Sequence, residues 1–66
     1  MLSEEERMNN AFKELLFQEE TMAKKYAHLG QEITDPQLQQ MLQGMEQAAR
    51  AHYGTLAKKM TKMGIV

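Results

Sequence analysis

The feature that most constrains this chain is an unbroken run in which Met8, Phe12, Leu15, Glu19, Met22, Tyr26 and Leu29 recur at alternating spacings of four and three. Those spacings trace one face of an α-helix, and no glycine or proline interrupts them before Leu29. One member of the face is a carboxylate, Glu19, inside the apolar arc. An acid there is costly unless it is paired, protonated or bound to a cation. The residue that belongs to the fold's main stripe is therefore also a place for chemistry.

The ends of this helix are marked. Ser3 and Glu6 have the spacing of a capping box, in which each side chain serves the other residue's free backbone N–H. Glu4, Glu5 and Glu6 sit at the positive end of the helix dipole. Gly30 is the natural C′ residue, so the pattern predicts a helix over about 3–29 and a loop over 30–35. Either Thr34 or Asp35 can cap the next helix, with Pro36 in its first turn. This second helix, over about 36–63, carries Leu38, Met41, Leu42, Met45, Ala48, Ala49, His52, Leu56, Met60 and Met63 on one arc, with His52 near its middle. Gly64 is again a C′ residue, and Ile65 is placed to fold back on Met60. Gly44 and Gly54 fall inside this helix, each costing up to ~1 kcal/mol relative to alanine.

Sixty-six residues allow a single small domain, and with no cysteine there is neither a disulfide nor a thiolate zinc site. A chain this short needs a metal or a partner chain to complete its core. Eight basic against nine acidic side chains leave no basic face to follow a phosphate backbone, so nucleic acid is not expected as a partner. No apolar run approaches the ~20 residues of a membrane span. The acidic Ser3-Glu4-Glu5-Glu6 does not read as a signal peptide, and a soluble intracellular protein is expected.

Two helices of about 27 residues, ~40 Å each, joined by a tight loop form an antiparallel hairpin. An isolated hairpin leaves roughly half of each apolar arc in water, whereas two hairpins packed together cover it. The expected fold is all-α: an antiparallel helical hairpin that dimerises into a four-helix bundle.

Glu19 and His52 are the strongly polar residues well inside the two arcs, and carboxylate and imidazole are ligand types for iron, manganese and zinc. A dimer would bring two of each toward a common interior. The spacing opposes a di-iron site, because Ala49 stands where a Glu-x-x-His motif needs glutamate, and Glu46 is almost opposite His52 on the wheel. Counted back from the loop, Glu19 is ~16 Å along its helix and His52 ~24 Å along the other, about one and a half turns out of level. Three readings stay open. Glu19 bonds Tyr53, Gln43 or its dimer mate while His52 is a satisfied neutral core residue; or both ligate a metal; or the polar pair fixes bundle register. His28 lies on the opposite, solvated face. The seven methionines read as gap-filling core or as a soft partner surface that would make the chain a helical adaptor. No nucleophile stands beside a base and no glycine-rich phosphate loop occurs, so no catalytic residue and no enzymatic activity are assigned.

Lys24-Lys25-Tyr26-Ala27, Glu32-Ile33-Thr34-Asp35-Pro36-Gln37-Leu38 and Lys59-Met60-Thr61-Lys62-Met63-Gly64-Ile65-Val66 together resemble the spore coat protein F family, within the ferritin-like helical group. The resemblance spans Leu15 to Val66. Many members have Gly-Trp-Tyr where this chain has Gly64-Ile65-Val66. It implies a non-enzymatic structural or accessory protein of the spore coat, with other coat proteins as partners. Against the neighbouring rubrerythrin-like pattern, Glu19 followed by Tyr26 matches the first ligand helix and Ala49 does not match the second. The resemblance therefore carries over only Glu19 and His52 as metal ligands, for iron, manganese or zinc.

Overall fold

Ser3 and Glu6 form the capping box that their spacing allows. The Ser3 hydroxyl accepts from the Glu6 N–H at 3.1 Å, and the Glu6 carboxylate accepts from the Ser3 N–H at 3.3 Å. They open helix α1 (Glu4–Glu32), which is followed by helix α2 (Pro36–Met63) in a computed structural model that describes residues 2–64. Of the two candidate caps for α2, Asp35 is the one used. Its carboxylate accepts from the N–H groups of Gln37 at 2.9 Å and Leu38 at 3.1 Å, with Pro36 in the first turn where its missing N–H is not needed. Gly64 closes α2 in the left-handed conformation, φ 73°, as a C′ glycine should. The contact expected from Ile65 lies outside the described residues. No helix in the described chain is long and apolar enough to cross a membrane.

Gly30 does not end α1. The helix runs through it to Glu32, and Ile33 closes it in an extended conformation, its N–H donating to the Leu29 carbonyl at 3.1 Å. Nothing in Gln31-Glu32 opposes helix, and Glu32 pairs with His28 one turn back at 3.1 Å. What stops the chain is the next element: Asp35, the residue before proline, must be extended both to precede Pro36 and to cap α2. A Cβ added at Gly30 would come 3.9 Å from the Cβ of Leu42, so Gly30 lies level with Leu42 at the seam between the helices.

The seam is where the chain buries what it can. On α1 the covered positions are Phe12, Leu16, Glu19, Ala23, Tyr26 and Gly30; on α2 they include Leu42, Glu46, Ala49, Leu56 and Met60. Among the described residues only Ala23, Ala49 and Met60 are buried. Asn9, in the same row as Leu16 and Ala23, leaves its Oδ1 buried without a hydrogen-bond partner.

The apolar arc read from the sequence is thus divided. Met8, Leu15, Met22 and Leu29, seven residues apart and each one residue before a covered position, stay more than a third exposed. Leu38 and Met45 do the same on α2, as does Met41 beside them. In an antiparallel pair these preceding flanks lie on one side, and a groove there is lined by Met22, Tyr26, Met45, Ala48 and His52. The opposite side presents Glu20 and Arg50. The molecule measures 49 × 23 × 12 Å, and its shortest dimension is the thickness of one helix. It is a single layer with most of its open apolar side chains on one face; Phe17, 68% exposed, lies off that face beside Gln18 and Thr21 on the outer side of α1.

Two outcomes follow from the seam. Ala23→Leu should destabilise the fold by about 1–3 kcal/mol, because the added atoms must force the helices apart; thermal unfolding followed by circular dichroism reads this. Gly54 has open space around a Cβ and no positive φ. Gly54→Ala should therefore raise stability by up to about 1 kcal/mol, or roughly 4–8 °C in melting temperature for a domain of this size.

Candidate functional site

Glu19 falls in the seam row of α1, three residues after Leu16 and four before Ala23, and its side chain keeps only 28% of its exposure. His52 comes from α2, one residue before Tyr53, which places it on the apolar face with 65% of its side chain open. The two meet: Glu19 Oε1 and His52 Nδ1 are 3.4 Å apart. That is longer than the about 2.7–3.2 Å of an ordinary N–H···O hydrogen bond. The contact is an open carboxylate–imidazole approach between two ligand-type groups.

This corrects the offset of about one and a half turns obtained by counting from the loop. Counting assumed that both helices start level, with Gly30 opposite Pro36. Instead α1 continues to Glu32, and the extended Ile33–Asp35 link carries the chain beyond the end of α1 before α2 begins. The Gln39 side-chain amide donates to the Ile33 carbonyl, so the first turn of α2 overhangs α1. Gly30 accordingly matches Leu42, and about three turns farther along, Glu19 reaches His52.

The other partners considered for Glu19 are differently placed. Tyr53 lies beside it along the polar-face groove with Arg50 and Glu20. Gln43 belongs to a groove nearer the loop, with Tyr26, Gly30 and Glu46. Arg50 is held by Glu46 at 2.8 Å and Lys24 by Glu20 at 3.2 Å, each one turn away on its own helix. His28 is exposed and engaged by Glu32. Of the described methionines only Met60 is buried; Met8, Met22, Met41, Met45 and Met63 are open, so in one chain they form a face and not a core.

One chain supplies an incomplete set of ligands. No three His, Asp, Glu or Cys side chains stand together among the described residues. Both grooves flanking Glu19 are open troughs, one apolar and one polar, and neither encloses a substrate-sized cavity. What the arrangement can do chemically is hold a cation or a hydrogen-bonded partner at the centre of an apolar face. The signal for that face lies in the sequence, in the strict sevenfold recurrence of Met8, Leu15, Met22 and Leu29 beside the seam row; a single arc on a wheel merges the two. Compared with known proteins, the chain matches no family model, no curated protein and no solved structure.

Because His52 is mostly exposed and Glu19 sits at the edge of the seam, neither is needed for the hairpin to form. Glu19→Leu should leave stability unchanged or raise it, since apolar packing replaces a part-buried acid. His52→Ala should change it by no more than about 0.5 kcal/mol, a shift of roughly 2–4 °C. Thermal melts of both variants check this, and a loss of cooperative folding in either would show the pair to be structural.

Proposed function

We propose that this chain works by assembly: it is a non-enzymatic structural protein whose functional unit is a homodimer, two hairpins closed face to face into a ferritin-like four-helix bundle. The observation that carries this is the one-layer shape with its apolar face. A layer of two helices must bury one side against another layer to make a core. The folded chain exposes 5352 Å², whereas a compact monomer of 7.6 kDa exposes about 4,300 Å². The excess, about 1,000 Å² per chain, is what a stable interface removes from each partner.

A second copy fits the face for a chemical reason. Met8, Leu15, Met22 and Leu29 present no charge, and Leu38, Met41 and Met45 continue the surface on α2. A two-fold axis in the plane of that face makes it self-complementary without any further sequence feature. The polar face, with Glu20, Lys24, Glu46 and Arg50 already paired along their own helices, then becomes the outside of the bundle. The setting in a spore coat, alongside other coat proteins, is supported by the resemblance of Lys24–Ala27, Glu32–Leu38 and Lys59–Val66 to the coat protein F family.

Sedimentation equilibrium of the untagged chain, purified without chelator at tens of micromolar, should give twice the mass of 7.6 kDa. Met22→Asp combined with Met45→Asp buries unpaired charge in the interface and should weaken the dimer more than about a hundredfold, leaving folded or partly folded monomer. A wild-type monomer that is stable with its methionine face open would overturn the homodimer and favour an adaptor that docks a partner helix.

A further inference from the structure

We infer that the dimer face carries a metal site, a single divalent transition-metal ion of the zinc class held by Glu19 and His52 of one copy together with the same two residues of the other. The inference rests on the homodimer proposed above and adds to it a ligand and a reason for the polar pair.

The first support is distance. Two ligand atoms, each 2.0–2.2 Å from a tetrahedral zinc, stand about 3.3–3.6 Å apart. Glu19 Oε1 and His52 Nδ1 are 3.4 Å apart, close enough to share such an ion and too far for a good hydrogen bond. The two groups come from different helices, and the helix pairing brings them to this distance without a metal.

The second support is position. Glu19 is one residue past the midpoint of α1 (Glu4–Glu32). A two-fold axis lying in the face, whether it runs along the helices or across them, brings mid-length groups of the two copies to one level. An axis that passes over Glu19 and His52 sets the pair of one chain against the pair of its mate and completes an N2O2 set of four ligands. One chain alone cannot, since it offers only two.

The third support is charge. Closing the face takes water from the apolar side of two Glu19 carboxylates and brings them closer together, which is unfavourable for both. The cations nearby do not relieve this: Arg50 is committed to Glu46 on the polar face, and Lys59 is two turns away along α2. A dication balances two carboxylates, and neutral imidazole supplies the remaining ligands. With no cysteine in the chain, nitrogen and oxygen ligands in a tetrahedral set favour zinc over softer ions.

The test is a titration of the chelator-stripped chain with zinc chloride, read by native mass spectrometry and sedimentation. The expected result is one zinc per two chains. With free zinc a hundredfold above its dissociation constant, the dimer dissociation constant should fall about a hundredfold. Glu19→Gln and His52→Ala, checked for folding by circular dichroism, should each still dimerise, bind no zinc and show no tightening; either variant suffices if the other fails to fold. A metal-free dimer at saturating zinc, one zinc per chain, or zinc binding that survives in a folded variant would overturn the site while leaving the dimer standing. A wild-type monomer even at saturating zinc would overturn the dimer and the site together.

Discussion

Two helices side by side have a seam but no interior. In this chain the seam buries two alanines and one methionine among the described residues, and the layer is one helix thick. Every other property depends on that limit. The larger apolar side chains Leu15, Met22, Leu29, Leu38 and Met45 each stand one residue before a seam position (Leu16, Ala23, Gly30, Gln39 and Glu46), so they remain on a flank. Small residues at the crossing permit close helices, and close helices leave the large residues on one face. The hairpin therefore leaves a face of large apolar side chains without a layer against it.

That arrangement gives the polar pair its meaning. In a deeply buried seam, Glu19 and His52 would be costly core groups. At the edge of a seam that opens onto an unclosed face, they are half in water and 3.4 Å apart, and association is the step that would remove them from solvent. Burial of a polar group is tolerated only with a partner, so such a pair makes the closed state conditional on what satisfies it. An apolar residue at both positions would close the face more simply but without selectivity. Glu20 with Lys24 and Glu46 with Arg50 are instead paired along their own helices, away from that face.

The link between the helices, although only Ile33, Thr34 and Asp35 long, decides which residues meet. Its extended conformation follows from Pro36 and from the capping role of Asp35, and it carries α2 beyond the end of α1 before the chain turns back. Through that overhang a local rule about the residue before proline sets the level of two side chains some twenty ångströms away, at roughly 1.5 Å per residue of helix.

The helices, the caps at Ser3 and Gly64, a cap for α2 at Thr34 or Asp35, and the surplus of apolar surface were legible in the amino-acid sequence, because each depends on spacing within a few residues. Three things were decided by tertiary structure. Gly30 is helical instead of terminal because Gln31 and Glu32 continue the helix and the stop signal lies farther on, at Asp35-Pro36. The arc splits into a seam row and an open row because a neighbouring helix covers only part of a face, and a wheel does not say which part. Glu19 meets His52 because register between helices is set by where each ends and how the link runs, neither of which periodicity contains. The sequence by itself determined that this chain forms two amphipathic helices with more apolar surface than a hairpin can bury; the packing decided which surface stays open and placed a carboxylate and an imidazole together at its middle.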